Sequence, residues 1–218
     1  MPVVVTSDVV SAHAGALHGG GGVLVIAGTG AVALGIGDRE AALVDGWGPE
    51  LGDFGSGSWL GREALRAVLR ASVGLGPETA LGAALRDPVG DASAVQRWLA
   101  QEGTLARRLA TLAPILLDAA SAGDPVASQI GEEAVRLLAA TAAAAAAPRS
   151  RAGSAPTAPV VALHGGLTDD EWFRGRLVAS LDEVGLSVTA SAGDALDGAR
   201  LLAERSDLPH ERFVHRAE

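Results

Sequence analysis

Short apolar runs separated by glycine turns open the chain. Residues 23–27 are continuously apolar and of strand length, as in a strand buried on both faces. The tight turn Gly28-Thr29-Gly30 follows, residues 31–36 return as a second strand, and residues 41–44 form a third after another turn. The pattern therefore predicts a meander of three strands.

Helical periodicity dominates the middle of the chain. A glycine-rich loop at 45–57 precedes a helix predicted over 60–71, with Ser58 as its N-cap. From 77 to 147 the pattern is helical throughout, broken only at proline and glycine positions. We therefore predict a helical insertion after the meander.

Two strand–helix pairs complete the pattern. A strand at 160–163 leads to a helix over 169–184 with Thr168 as its N-cap, and a strand at 186–190 leads to a helix over 194–204. The order β-β-β-α-β-α-β-α with a helical insertion is that of an α/β RNase-H-like domain, as used in the actin-like ATPases. A Rossmann unit would alternate strand and helix from its start.

This layout divides the chain into three predicted units. Residues 1–22 are interpreted as a remnant of an N-terminal lobe with a crossover strand and helix. Residues 23–206 form the C-terminal RNase-H-like domain, with the insertion at about 77–147. Residues 207–218 are polar and are expected to form a loose tail.

Composition narrows the function classes. With 48% hydrophobic and 20% charged residues, the 218-residue chain can bury a real core. The absence of cysteine excludes disulfides, zinc–thiolate sites and cysteine nucleophiles. A net charge of −9 without a basic block argues against nucleic acid as a partner.

We find neither a signal peptide nor a run long enough to cross a membrane, so we expect a cytoplasmic protein without a membrane partner. The five histidines lack metal-ligand spacing, and no metal ligands are predicted.

Asp8 is the first candidate for chemistry. It follows the valine run 3–5, so we expect it at the carboxyl end of a strand, where open α/β sheets place ligands. A carboxylate there can accept the proton of a hydroxyl that attacks phosphorus. Ser7 or Asp8 would also serve as a helix N-cap, and taken alone the cap is the better interpretation.

Glycine-rich turns supply the other candidates. The turn 28–30 could bring backbone N–H groups close to a phosphate, although a plain hairpin turn fits equally well. Asp53 lies among glycines with Trp47 nearby, a carboxylate acceptor and an apolar face suited to a sugar. Gly55-Ser56-Gly57 could direct backbone donors of the next helix toward an anion. A ligand-free surface loop is the alternative, and the combination of Trp47 and Asp53 favours a functional site.

Joined in order, these motifs resemble the N-acetylglucosamine kinases, the glucosamine kinases and the wider BadF/BadG/BcrA/BcrD ATPase family. The matching segments are 3–8, 28–30, 46–48, 52–57, 61–65, 165–167 and 193–202.

The resemblance implies an ATP-dependent amino-sugar kinase that acts with Mg²⁺ on N-acetylglucosamine or glucosamine, with a homodimer as one compatible assembly. It implies a catalytic base at Asp8. It also implies a phosphate loop formed by Gly28, Thr29 and Gly30. The sugar loop would be formed by Trp47, Gly48 and Asp53. The turn that contacts the adenosine would be formed by Gly165 and Gly166.

Three departures from the family pattern bear on activity. Phe54 stands where the family usually has Glu, and Ala31 stands where it usually has Ser. The opening Asp-Gly-Gly-Gly-Thr hairpin, which helps to place Mg²⁺, is not found before Val3. The chain alone is therefore expected to be a weak or inactive kinase, and a non-catalytic nucleotide- or sugar-binding module is the alternative. The related activator ATPases carry an iron–sulphur cluster on cysteines, which this chain lacks.

Overall fold

A computed structural model describes residues 3–37, 40–146 and 159–217. The strands in chain order are β1 (Val3–Val5), β2 (Gly22–Ala27), β3 (Ala31–Ile36), β4 (Ala41–Asp45), β5 (Val160–His164), β6 (Ser187–Thr189) and β7 (His215–Ala217). The α-helices are α1 (Asp8–Ala16), α2 (Gly57–Ser72), α3 (Leu81–Ala84), α4 (Val95–Leu99), α5 (Leu105–Ala110), α6 (Ala113–Ser121), α7 (Pro125–Ala146), α8 (Glu171–Glu183) and α9 (Ala195–Glu204). Residues 1–2, 38–39, 147–158 and 218 of the predicted units lie outside the described ranges.

A five-stranded mixed sheet forms the centre of the fold, in the order β4-β3-β2-β5-β6. β3 runs antiparallel to β2 and β4, whereas β2, β5 and β6 run parallel to one another. This arrangement confirms the predicted meander followed by parallel strands, and with it the predicted α/β RNase-H-like class. Because β4 is antiparallel to β3, the carboxyl ends of β2, β4, β5 and β6 share one edge of the sheet.

Both faces of β2 are buried because helices cover the sheet on each side. Leu24 packs with Ala12 and Ala16 of α1 on one face. Val23 and Val25 belong to the larger core on the other face, which includes residues of α2 and α7. Side chains alternate between the faces of a strand, so a continuous apolar run is what such a double-sided strand requires.

The predicted insertion is helical in its described part, 77–146. α7 is its longest helix and packs against β2, β3 and β4 as well as α2, α6 and α8. Small residues such as Ala134, Ala142 and Ala145 are buried along it, which lets the helix lie close to the sheet. Among the described residues, no helix combines the length and the apolar character needed to cross a lipid bilayer.

α1 and α9 cross at two glycines. A side chain on Gly15 would collide with the Asp194 carbonyl, and one on Gly198 would collide with the Ser11 carbonyl. The two backbones therefore touch at this point. α1, predicted to belong to a separate first unit, packs on the same sheet as the rest of the described chain, and the domain boundary remains a prediction.

The tail is the first correction to the sequence predictions. β7 pairs antiparallel with β1 in a two-stranded ribbon, and Leu208 and His210 are buried. His210 Nε2 lies 2.9 Å from His13 Nδ1 of α1. The expectation of a loose tail was therefore wrong, because two buried side chains and a strand pairing that links distant residues hold it in place.

The N-caps of two helices differ from the predicted ones. Ser56, rather than Ser58, caps α2, because its Oγ accepts the Trp59 N–H at 3.2 Å. Asp170, rather than Thr168, caps α8, and Thr168 instead donates its hydroxyl to the Gly165 carbonyl. In both helices several residues of capping type stand close together, so composition alone does not select one.

Candidate functional site

The candidate residues gather at the edge where the parallel strands end. The turn 28–30 follows β2, the loop 45–57 follows β4, and the turn at 165–166 follows β5. In the ladders, Ile26 pairs with His164 and Val32 pairs with Asp45, which places these three connections side by side. Open α/β sheets bind ligands at such an edge.

Helix α2 braces the 28–30 turn through its carbonyls. The Gly57 N–H donates to the Gly28 oxygen at 2.8 Å, and the Ser58 N–H donates to the Thr29 oxygen at 3.1 Å. In a trans peptide the C=O and the following N–H point in opposite directions. The N–H groups of Thr29 and Gly30 therefore point away from α2, and neither has an acceptor among the described residues. Thr29 is exposed and Gly30 is partly exposed, so the turn that carries these two donors lies at the surface.

The start of α2 is not the anion site that we expected from Gly55-Ser56-Gly57. Its first N–H groups are occupied by the turn carbonyls and by Ser56, whose Oγ accepts from Trp59. The expectation was wrong because the helix end binds protein rather than solvent. The free donors lie one step away, on the turn that this helix supports.

Asp53 connects the loop to that turn. It is 8% exposed and adopts a left-handed backbone with φ of 54°. Its Oδ1 accepts the Ala31 N–H at 3.4 Å, and a side chain on Gly30 would lie 2.9 Å from its Oδ2. Burial raises the pKa of the Asp53 carboxyl, and the negative charge of Asp45 raises it further, whereas the Ala31 N–H and the charge of Arg62 lower it.

Asp45 is a site residue that the sequence analysis missed. It is 4% exposed, and its Oδ1 and Oδ2 accept the N–H groups of Asp53 and Phe54, each at 2.8 Å. The available signal was an aspartate at the end of a strand immediately before a Gly-Trp-Gly turn. A carboxylate there can close the loop by bonding to its far end.

Trp47 lies at the rim of the loop and is 66% exposed. Its ring meets Phe54 edge-on, with 6.5 Å between the ring centres. Gly48 has a φ of 87° and accepts the Gly52 N–H at 2.8 Å, which folds the loop back on itself. Arg62 of α2 donates to the Pro49 carbonyl and so ties the loop to the helix. Because Trp47 is largely exposed, its indole face remains open to a ligand.

Gly165 lies against the end of β2. Its φ is 102°, and a side chain there would collide with the Ala27 carbonyl. A side chain on Gly28 would find the Gly165 Cα as its nearest neighbour, at 4.0 Å, which makes the two turns adjacent. Gly166 is exposed with open space beside it. His164, the last residue of β5 before this turn, has its Nε2 2.7 Å from the Oγ of Ser191, two residues after β6.

Asp8 stands apart from this group in its described contacts. The predicted strand before it is present as β1, but β1 belongs to the β1–β7 ribbon and not to the five-stranded sheet whose edge carries the other candidates. Asp8 is exposed at the start of α1, and its Oδ1 accepts the Val9 N–H at 2.7 Å. Ser7 occupies the N-cap position without a side-chain bond to the helix.

Comparison with known proteins identifies the family. The BadF/BadG/BcrA/BcrD ATPase family matches residues 2–202, most of the chain. The chain belongs to this family. Its RNase-H-like sheet is therefore that of an actin-like ATPase, and the resemblance drawn from the sequence motifs is confirmed.

Relatives within the BadF/BadG/BcrA/BcrD family include sugar kinases. The N-acetyl-D-glucosamine kinase of Dictyostelium discoideum is 34% identical over 122 residues, which cover 54% of this chain and 38% of the relative. The N-acetylmuramic acid/N-acetylglucosamine kinase of Clostridium acetobutylicum is 30% identical over 139 residues, which cover 62% of this chain and 45% of the relative. The chain thus spans less than half the length of these curated relatives.

A solved structure agrees with the fold. The Chromobacterium violaceum protein assigned as an N-acetylglucosamine kinase superposes with a TM-score of 0.72 at 30% identity, covering 91% of this chain and 65% of that one. Within the described residues of this BadF/BadG/BcrA/BcrD member, no group of three or more His, Asp or Glu side chains lies close enough together to hold a metal ion.

Proposed function

We propose that this chain is part of an ATP-dependent amino-sugar kinase that transfers the terminal phosphoryl group of ATP to a hydroxyl of N-acetylglucosamine or glucosamine. Family membership and the names of the relatives support ATP use and a sugar acceptor. The enzyme would work in the cytoplasm, and Mg²⁺ would enter with the nucleotide phosphates, whose charge it neutralises.

The observation that carries the proposal is the pair of outward N–H groups on Thr29 and Gly30. Their partner carbonyls are held by α2, so the donors are oriented before any ligand binds. Preorganised N–H groups without a protein acceptor bind phosphate oxygens at little reorganisation cost. Gly165 and Gly166 flank this turn with little side-chain bulk and are proposed to contact the adenosine.

The sugar is proposed to lie on the loop side of the turn. Trp47 would offer its exposed face to the ring, and Asp53 would accept hydrogen bonds from hydroxyl groups beside Gly48. Asp8 would accept the proton of the attacking hydroxyl as the new oxygen–phosphorus bond forms and ADP leaves. Its exposed carboxylate has only a local hydrogen bond, which leaves an oxygen available for this role.

A direct test follows the backbone amides by NMR during titration with Mg²⁺–ATP. The Thr29 and Gly30 amide signals are expected to shift most, since their N–H groups would gain phosphate acceptors. Unchanged signals for both amides at saturating nucleotide would refute the phosphate assignment.

Turnover is tested by coupled ADP release over a panel of hexosamines, with Asp8→Asn as the variant. Loss of the base is expected to lower the rate by about 100-fold or more. Asp182→Asn is the matched control, since this exposed aspartate lies at the end of α8 that precedes β6. An equal rate for Asp8→Asn and the control would remove Asp8 from the base role.

A binding module without turnover is the second candidate. It is favoured by Phe54, which stands where the resemblance to the family predicts Glu. Calorimetric binding of ATP or an amino sugar without ADP release, in the same preparation, would support the module over the enzyme.

A further inference from the structure

The carboxylate of Asp45 closes the loop between β4 and α2. Its two oxygens bond to the N–H groups of two successive residues, Asp53 and Phe54, each at 2.8 Å. Hydrogen bonds to an ionised acceptor are roughly twice as strong as those between neutral groups. With both oxygens engaged, the carboxylate fixes the orientation of the peptide planes at 53 and 54 as well as their distance from the sheet.

The backbone on either side of this contact is strained. Asp45 has a φ of 65° and Asp53 a φ of 54°, a left-handed conformation that non-glycine residues adopt rarely. Gly52 lies so close to Asp45 Oδ1 that any side chain there would collide with it. Strained backbone conformations of this kind persist only where the surrounding structure holds them, and they cluster at functional sites. Here the buried carboxylate supplies the restraint.

The restraint extends to the turn 28–30. Asp53, held through its N–H, accepts the Ala31 N–H at 3.4 Å and packs its carboxylate against Gly30. Asp45 does not touch the turn by any described hydrogen bond, so it acts through Asp53. The order of contacts runs from the end of β4, through the loop, to the residue proposed to bind the sugar.

We propose that Asp45 is a positioning residue for the amino-sugar acceptor: it holds the Asp53 carboxylate where sugar hydroxyls can bond to it. The inference rests on the proposed function. It assigns Asp45 a role in acceptor binding and not in the chemical step. The negative charge of Asp45 also raises the pKa of Asp53, so the two carboxylates are coupled electrostatically as well as by geometry.

The test compares three aspartate-to-asparagine variants by calorimetry with N-acetylglucosamine and glucosamine, in the presence of a non-hydrolysable ATP analogue. Asp45→Asn keeps the shape of the side chain but turns an NH₂ group toward one backbone donor. It should weaken amino-sugar binding about tenfold, the loss expected from one charge-assisted hydrogen bond. Asp53→Asn should weaken it at least as much, because it alters the contact group itself.

Asp124→Asn is the matched control. Asp124 uses the same chemistry in the helical insertion, where its carboxylate accepts the Ala80 N–H at 2.7 Å and the Ala127 N–H at 2.8 Å. Its replacement should lower stability without a change in sugar affinity. A second readout is the pH dependence of sugar binding, whose acid midpoint should move to lower pH in Asp45→Asn, since a negative neighbour of Asp53 is lost.

The outcomes separate the two proposals. Weakened sugar binding and a shifted midpoint in Asp45→Asn, but not in Asp124→Asn, would support the positioning role. If Asp53→Asn alone loses affinity while Asp45→Asn behaves like Asp124→Asn, the positioning role is wrong and the proposed function stands. If the wild-type chain binds no amino sugar, the proposed function fails and the inference fails with it.

Discussion

The buried histidine pair predicts an acid-sensitive fold. His13 Nε2 lies 3.1 Å from the Gly22 carbonyl, which only accepts, so that nitrogen carries the proton. His13 Nδ1 must then accept from His210 Nε2 at 2.9 Å. His210 Nδ1 is left as a buried lone pair without a hydrogen-bond partner among the described residues. A second proton on His210 would therefore place a charge in a site that offers it no acceptor.

The magnitude follows from the pKa. Burial is the larger cause and electrostatic coupling to the neighbouring His13 the smaller one; together they lower the pKa of His210 from 6.5 to about 4. In the unfolded chain the group titrates near 6.5, so between these values the unfolded state binds the extra proton. The stabilisation of the folded state that comes from neutral His210 is complete above about pH 6.5 and is lost as the pH falls toward 4. By linkage the free energy of unfolding should drop by about 1.4 kcal/mol at pH 5.5 and about 2.5 kcal/mol at pH 4.5.

Urea unfolding followed by tryptophan fluorescence at pH 7.5 and 5.5 measures this loss. His210→Gln should abolish it, because an amide can donate to His13 Nδ1 without titrating, although imperfect packing will cost about 1–2 kcal/mol at both pH values. His215→Gln, at an exposed histidine of β7, is the matched control and should keep the wild-type loss. A His210→Gln protein that still loses the full 1.4 kcal/mol, or a wild type that loses nothing, would contradict the assignment.

Other predictions concern packing and capping, each measured by urea unfolding at pH 7.5. Gly61→Ala would push a methyl group into a carbonyl oxygen of α5 and should lower the free energy of unfolding by about 1–3 kcal/mol. Gly175→Ala, in open space on α8, is the control and should be neutral or stabilise the fold by up to about 1 kcal/mol. Equal effects of the two substitutions would refute the steric argument. Phe173→Ala removes a fully buried ring and should cost about 3–5 kcal/mol, and a loss below about 1 kcal/mol would mean that the site collapses around the gap. Asp194→Ala removes the capping box of α9 and should cost about 1 kcal/mol, with no effect if water replaces the cap fully.

Much of the fold was predictable because its signals are local. The apolar run at 23–27 needs two covering layers, and glycines at 28 and 30 mark the tight turn after it. The order of strands and helices then restricts the sheet to few arrangements. The structure confirms the meander, the helical insertion and the two later strand–helix pairs.

What could not be predicted depends on contacts between residues distant in the sequence. The pairing of β1 with β7 joins the two ends of the described chain, and neither strand contains a signal for its partner. The first N–H groups of α2 donate to carbonyl oxygens of the turn 28–30, and this too depends on how the helix packs against the end of the sheet. Asp45 was missed because its partners, at 53 and 54, become neighbours only when the loop closes.

The β1–β7 ribbon has a mechanical consequence. Val3 faces Ala217 and Val5 faces His215, so a force applied between the two ends of the described chain acts across the pairs one at a time. Such loading unzips hydrogen bonds in sequence instead of shearing them together. The ribbon should therefore open at low force, and the load would then reach the buried contact between His13 and His210, which ties the tail to α1.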